Sequence, residues 1–341
     1  MNIELLRKLS NAFGPPGTEA EPREVLREEL ESYADEVIVD RLGNIFFVHN
    51  GEEDAPRIMI AAHMDEVGFM VTYIEKNGFL RFHSWGIPGN VFLGQRMILH
   101  GKKGKLHGII GTKPPHVMTD DERKKVAPVD SLFIDIGTLS KEEAVAKGAY
   151  IGMRGTFDVE FLELGDGFLR GKALDDRLGC FIMVEVFKEL SKSPYNITVV
   201  GTVQEEVGTR GARTAAYQID PDYAIALECT YAVDIPGTPP HKQSTELRKG
   251  AVISIADRSL IAHPKVLGAM VEAAEAENIP YQYKKLASGG TDAGAISLSK
   301  SGVPSGVISC PSRYIYSKIL WYYFQCWGIE LFHNRSSRYH C

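Results

Sequence analysis

The sequence predicts an α/β protein, a three-layer α/β/α arrangement around a mainly parallel sheet, with a small β-barrel domain inserted into it. Three observations carry this reading. Apolar strand-like runs alternate with helical runs through most of the second half of the chain. Between about 69 and 161 the texture differs: many short β runs, punctuated by Gly86, Gly89, Gly94, Gly101, Gly104 and Gly108 at strand-and-turn intervals. Four apolar runs also end in histidine or carboxylates, and a parallel sheet puts its ligand site beyond its strand C-termini.

Taken in order, residues 1 to 13 read as a short amphipathic helix with Leu5, Leu6, Leu9 and Phe13 on one face. Gly14-Pro15-Pro16-Gly17 ends it, and Thr18 is a plausible N-cap for a second helix reaching about Tyr33. Val37 to Val39 and Asn44 to Val48 form a hairpin turning at Leu42-Gly43. Strand Ile58 to Ala62 then leads to His63. In the β region one stretch, Lys141 to Lys147, has a helical pattern, and Lys113 to Val126 reads as a mobile loop. From Gly171 the alternation resumes: helix Leu178 to Leu190, strand Tyr195 to Val203, helix Gly211 to Gln218, strand 223–227, strand 251–255, helix Pro264 to Asn278, strand 281–285 and strand Pro304 to Ser309. The expected division is a discontinuous domain of residues 1–68 and 162–341 and an inserted barrel domain of 69–161.

A chain of 341 residues exceeds what one simple core usually serves, which agrees with that division. Hydrophobic residues make up 44% and charged residues 24%, the balance of a soluble globular protein. A net charge of −6 argues against nucleic-acid binding, and no apolar stretch is long enough for a membrane span. The N-terminus has no apolar signal core, and the five cysteines lack CxxC spacing. Free thiols in a reducing cytoplasm are expected.

The chemistry concentrates in four places. Glu205-Glu206 follows a buried strand, where adjacent carboxylates repel each other and burial disfavours their charge, so a cation is expected beside them. His63 and Asp65, two apart, share a face of an extended backbone, which suits a metal-ligand histidine oriented by a carboxylate. Asp175-Asp176 precedes a helix, and Glu228 ends a strand. Each has a plainer alternative: a surface His-Asp pair, aspartates as N-caps, a solvated loop, an ordinary loop acid. Their joint recurrence at strand ends points to a metal site. GxSxG, GxxxxGK[ST], HExxH and a strand-linked GxGxxG are all absent.

AAHMDEVGFMV at 61–71, GKALDDRLGC at 171–180, VQEEVGTRGA at 203–212, ALECTYAVDIPGT at 226–238, SGGTDAGAI at 288–296 and PSGVISCPSRYI at 304–315 resemble the glutamyl-aminopeptidase-like, deblocking and tetrahedral aminopeptidases. The resemblance is specific and spans residues 1 to about 315, inserted β domain included. It implies a zinc-peptidase-like catalytic domain and two divalent metal ions per subunit, Zn or Co, at a metalloaminopeptidase site. His63 and Glu228 would bind one metal, Glu206 the other, and Asp175 both, with a cis Asp175–Asp176 peptide. Asp65 would orient His63, and Glu205 would be general base and acid. A water activated by both metals would hydrolyse the N-terminal peptide bond of peptide substrates. The barrel would serve dimerisation and substrate access in a homo-oligomer, from dimer to dodecamer.

The chain departs from the family after PSRYI. A histidine that binds the second metal is expected there, and Tyr316 stands in its place. A phenol, with a pKa near 10, is a poor substitute. The tail from Ile319 to Cys341 crowds Trp321, Tyr322, Tyr323, Phe324, Trp327 and Phe332, like a shifted reading frame or degraded terminus more than a packed element. His333 and His340 lack the spacing of substitutes. Two alternatives follow: a catalytically inactive relative acting only as a structural subunit, or a glycoside hydrolase using paired carboxylates.

Overall fold

The computed structural model describes residues 2–284, 288–315 and 320–323. The chain divides into two compact units. One runs to Asp65 and resumes from Phe161 to Ile315 with the strand Leu320–Tyr323; the other runs from Glu66 to Glu160.

The first unit opens with helix α1 (Ile3–Asn11), whose first turn is capped by the Asn2 side chain accepting from the Leu5 N–H, with Leu5, Leu6 and Leu9 buried. Helix α2 (Ala20–Leu30) follows, starting at Glu19 with no side-chain cap. The expected cap, Thr18, donates its hydroxyl to the Pro15 carbonyl instead, a local side-chain-to-backbone bond that competes with capping. The hairpin β1 (Glu36–Val39) and β2 (Ile45–His49) is antiparallel as expected, its turn held by Asp40 Oδ1 accepting from three successive backbone N–H groups. Strand β3 (Arg57–His63) alternates cleanly: Ile60 and Ala62 enter one apolar cluster, Met59 and Ala61 another.

The second unit is a closed barrel. Strands β4 (Phe69–Ile74), β5 (Leu80–Ser84), β6 (Arg96–Gly101), β7 (Gly104–Gly111), β8 (Phe133–Asp135) and β9 (Arg154–Phe157) pair in the cyclic order β4-β5-β8-β7-β6-β9. Closure removes the free edges that short strands would otherwise expose. Three helices decorate it: α3 (Gly89–Phe92), α4 (Asp120–Lys124) and α5 (Lys141–Lys147), the last where its pattern predicts. Helix α4 lies inside the stretch expected as a mobile loop. Thr119 accepts from the Glu122 N–H while Glu122 accepts from the Thr119 N–H, a reciprocal capping box that makes one turn of helix from a charged run.

The first unit resumes with the hairpin β10 (Leu162–Gly165) and β11 (Phe168–Gly171), then helix α6 (Leu174–Leu190), β12 (Asn196–Thr202), α7 (Arg210–Ile219) and β13 (Tyr223–Tyr231). It continues through β14 (Ala251–Ser254), α8 (Pro264–Ala276), β15 (Tyr281–Lys284), α9 (Asp292–Ser297), β16 (Ser305–Arg313) and β17 (Leu320–Tyr323). The sheet order is β1-β2-β12-β3-β13-β16-β17-β11-β10, with β14 and β15 branching from β16. Its central strands, β12, β3, β13 and β16, are parallel, the pairs outside them along that order are antiparallel, and the branch pair β14–β15 is parallel. Apolar residues of α1, α2, α6 and α8 pack on one face, those of α7 and α9 on the other, so the three layers expected are present. Within the tail, β17 inserts between β16 and β11, pairing Trp321 with Arg313 and with Arg170. That piece is sheet, where composition alone suggested an unpacked terminus. Tyr316, His333 and His340 lie outside the described residues.

Candidate metal centre

Parallel pairing brings three strand ends together. His63 is the last residue of β3 and pairs with Thr202 of β12, while β13 lies on the other side of β3. Glu228 sits within β13 rather than at its end, because that strand runs on to Tyr231 alongside β16. Its carboxylate still turns toward His63, Oε2 lying 3.8 Å from Nε2.

The turn after β12 carries Glu205-Glu206. Gln204 is left-handed at φ +57°, and the turn closes through Arg210 N–H to the Gln204 carbonyl and Gly211 N–H to the Val203 carbonyl. A left-handed non-glycine residue is uncommon and persists only where its surroundings hold it. Two buried side chains do so here. Asn44 accepts from the Val203 N–H at 3.0 Å and donates to the Gly211 carbonyl at 3.1 Å. Glu19 accepts from the Gln204 N–H at 3.3 Å and from the Gly17 N–H at 2.6 Å. Gly211 is required by space: a Cβ there would lie 2.3 Å from Asn44 Oδ1 and 2.4 Å from the Val203 carbonyl oxygen.

Asp175 and Asp176 open α6 with non-helical backbone, joined by a cis peptide, after a left-handed Ala173. The two aspartates divide their tasks. Asp176 Oδ1 accepts from the Gly179 N–H at 3.0 Å, capping the helix, so the plain N-cap reading applies to it. Asp175 Oδ1 lies 3.3 Å from His63 Nε2.

Asp65 joins the parts. Its Oδ1 accepts from the Glu205 N–H at 2.9 Å and its Oδ2 from the Glu206 N–H at 3.1 Å. Its own carbonyl oxygen is 3.1 Å from His63 Nδ1, closer than its carboxylate at 3.6 Å. The Asp65 carboxylate thus faces the ring, where sequence reasoning put it, and also holds the two glutamate N–H groups, while the ring's nearest contact is the Asp65 carbonyl.

Donor atoms of His63, Asp175 and Glu228 fall within 4.8 Å of one another, as do those of His63, Glu205 and Glu206. His63 is only 2% exposed. Burial works against its charged ring, yet hydrogen bonding with Asp175 and Asp65 raises its pKa well above the ordinary value. Burial, followed by the charge of Asp175, pushes the Glu206 carboxyl up to about 8. Burial likewise raises Glu205 and Glu228 well above the usual carboxylate range, against the opposing effect of His63. Among the described residues, Asp176 Oδ2 and Asp292 Oδ1 are buried with no hydrogen-bond partner. Crowded, desolvated carboxylates around one imidazole form a donor set that fits a divalent cation with nitrogen and oxygen preference.

Asp292 and Glu19 were not assigned roles from sequence. Asp292 donates its N–H to Glu228 Oε1 at 3.1 Å and accepts from the Thr202 hydroxyl. Its motif, SGGTDAGAI, is visible in the sequence, whereas Glu19 is one acid among many near a helix start.

A three-layer α/β/α unit with buried histidine and carboxylates at its strand ends, interrupted by a closed barrel, defines a peptidase-type metal-site architecture. The family model described as M42 glutamyl aminopeptidase matches residues 43–322. A putative aminopeptidase of Acetivibrio thermocellus is 42% identical over 323 residues, spanning 93% of this chain and 92% of its own. The lysyl aminopeptidase of Pyrococcus furiosus is 34% identical over 321 residues, 93% of this chain and 90% of its own. Among solved structures, a TET aminopeptidase from a marine-sediment thaumarchaeote superposes with a TM-score of 0.93 at 40% identity, covering 96% and 93% of the two chains. The Pyrococcus horikoshii TET1 peptidase, which assembles into a tetrahedron or a large octahedral shell, gives 0.84 at 32% identity and 96% of each chain. The chain belongs to the M42 glutamyl aminopeptidase family, and is a hydrolase of the aminopeptidase kind.

Proposed function

We propose that this chain removes the N-terminal residue of peptides with the help of two divalent cations, zinc or cobalt, held by His63, Asp175, Glu206 and Glu228. The observation that carries this reading is that the buried His63 imidazole belongs to two donor groups, one with Asp175 and Glu228 and one with Glu205 and Glu206, each with its donor atoms within 4.8 Å of one another. His63 and Glu228 would hold one cation, Glu206 the other, and Asp175 both. Cations there supply Lewis-acid polarisation of the scissile carbonyl and bring the pKa of a water toward neutrality. Glu205, fixed through its backbone by Asp65, takes the proton from the attacking water and returns it to the leaving amine. Asp65 is a positioning residue, since its carboxylate holds the Glu205 and Glu206 N–H groups and its carbonyl faces the His63 ring.

The barrel unit is proposed to serve dimerisation and substrate access, in a homo-oligomer such as the shells formed by the Pyrococcus horikoshii relative. Among the described residues no helix is long and apolar enough to cross a membrane. Among the described residues Cys180 and Cys229 are free thiols, which accords with a cytoplasmic setting.

Tyr316 favours a second reading, in which the second cation is held weakly and the chain is impaired or acts only as a structural subunit. Elemental analysis of the natural chain and of Tyr316→His, with aminoacyl-anilide assays of both, separates the two. Two metals per subunit with cleavage in the natural chain sustain the first reading. One or none and silence, with recovery in Tyr316→His, sustain the second. Two metals and no cleavage of any aminoacyl-anilide in either protein would refute the aminopeptidase assignment.

A further inference from the structure

Three of the four residues proposed to hold cations are placed by the sheet. His63 ends β3, Glu228 lies on β13, and Glu206 sits in the turn that follows β12, so backbone pairing of these parallel strands sets their spacing. Asp175 is different. It opens helix α6, which no strand ladder ties to the sheet, yet its Oδ1 comes to 3.3 Å from His63 Nε2. Apolar packing holds that helix against the sheet, but such packing is non-directional, and a ligand position needs a directional constraint.

Arg177 supplies one. It follows Asp176 directly and is fully buried. Its Nε donates to the carbonyl of Met64, the residue between His63 and Asp65, at 2.8 Å. Its Nη1 donates to the carbonyls of Leu9 and Ala12 at 2.5 and 3.1 Å. Those carbonyls lie at the C-terminal end of α1, where helical partners run out and a cation is favoured. One guanidinium thus joins the segment of His63 and Asp65, the segment of Asp175 and Asp176, and the end of α1. Its planar fork fixes the direction of each bond, which a lysine ammonium does not. Neighbouring bonds support the joint. The Cys180 thiol donates to the His63 carbonyl at 3.2 Å, the Ser10 hydroxyl to the Lys172 carbonyl at 2.6 Å, and the Lys172 ammonium to the Ala12 carbonyl at 3.0 Å. Gly14 leaves room for the guanidinium, since a Cβ there would lie 2.6 Å from Nη2.

We propose that Arg177 is the positioning residue for Asp175: by holding the Met64 carbonyl it sets the Asp175–His63 separation, and with it the affinity of the centre for cations. The assignment rests on the metal-binding reading above and is tested by metal binding, apart from catalysis. Full chains of wild type, Arg177→Lys, Gly14→Ala and Ser10→Ala are stripped with chelator. Urea unfolding gives the stability of each. Cobalt titration against a chelating dye gives its affinity and the visible absorption of the bound ion. Arg177→Lys keeps the charge and loses the fork; it should lose about 10- to 100-fold in cobalt affinity, with a changed cobalt spectrum. Gly14→Ala displaces the guanidinium without removing it. It should move both readouts the same way, and it decides the matter if Arg177→Lys does not fold. Ser10→Ala cuts a bond of α1 that does not involve Arg177. Its stability should fall while its cobalt affinity stays within about twofold, because a bond that only holds the fold does not enter the binding equilibrium of the folded state. Wild-type cobalt affinity and spectrum in Arg177→Lys, or in Gly14→Ala where Arg177→Lys does not fold, overturn the assignment. So does an equal loss of affinity in Ser10→Ala, which would credit α1 as a whole. A wild type that binds no cobalt overturns the metal-binding reading and the assignment together. Arg177-dependent cobalt binding in a wild type that cleaves no aminoacyl-anilide sustains the assignment and instead rejects the aminopeptidase reading.

Discussion

Glu19→Gln isolates a proton that folding places in the N-terminal part of the catalytic unit. The Glu19 side chain is 4% exposed as a residue and holds the Gly17 and Gln204 N–H groups through Oε1. Burial, then the charge of Asp65, raises its pKa from 4.5 to about 7, against the lowering effect of those backbone hydrogen bonds. Between pH 4.5 and about 7 the folded chain therefore binds a proton that the unfolded chain has released. Stability falls as pH rises through that window and levels off above it. At about 1.4 kcal/mol per pH unit, the rise amounts to about 3 kcal/mol. Glutamine keeps the accepting oxygen and cannot ionise. Urea unfolding of both proteins in chelator, from pH 5 to 8.5, gives the difference in unfolding free energy at each pH, and common contributions from the metal-centre acids cancel. The variant should gain on wild type by about 3 kcal/mol across the range, most of it between pH 5 and 7. A difference that stays flat, the two proteins losing stability in parallel, would refute the reasoning, because Glu19 would then ionise in the fold as it does in water.

Asp65→Asn leaves one of the Glu205 and Glu206 N–H groups facing an amide NH2, at about 1–3 kcal/mol of stability and about 10- to 100-fold in metal affinity, read by thermal melts and chelator competition. Glu205→Gln should keep metal content and melting temperature while kcat on an aminoacyl-anilide falls about 10²- to 10⁴-fold. Gly211→Ala should lower stability by about 1–3 kcal/mol, since its Cβ would lie 2.3 Å from Asn44 Oδ1 and the turn carrying Glu205 must move; urea melts measure it. Dialysis against chelator should abolish hydrolysis and lower the melting temperature together, because cations bind the folded centre and not the unfolded chain; zinc or cobalt should restore both.

Much of this protein is determined by its sequence because the signals are local. The near-continuous apolar runs of Arg57–His63 and Asn196–Thr202 mark strands buried on both faces, and such runs read as strands from the sequence alone. The acids at Asp175, Glu205 and Glu228 stand out because carboxylates beside apolar runs are costly without a cation. The Thr119–Glu122 capping box was also local and legible, yet the charged run around it concealed a helical turn. Other features exist only because distant segments meet. Asp65 was assigned to a ring two residues away, and its carboxylate reaches across 140 residues to the Glu205 N–H. Asn44 and Gly211 form one joint, as do Glu19 and Gln204, and neither pairing leaves a trace in spacing. Which acid a basic residue meets, as Arg313 meets Asp234, depends on what the fold brings to it. Sequence periodicity sets which face of an element is apolar. Sheet order sets which elements are neighbours, and hydrogen bonding, burial and charge at the centre follow from that order.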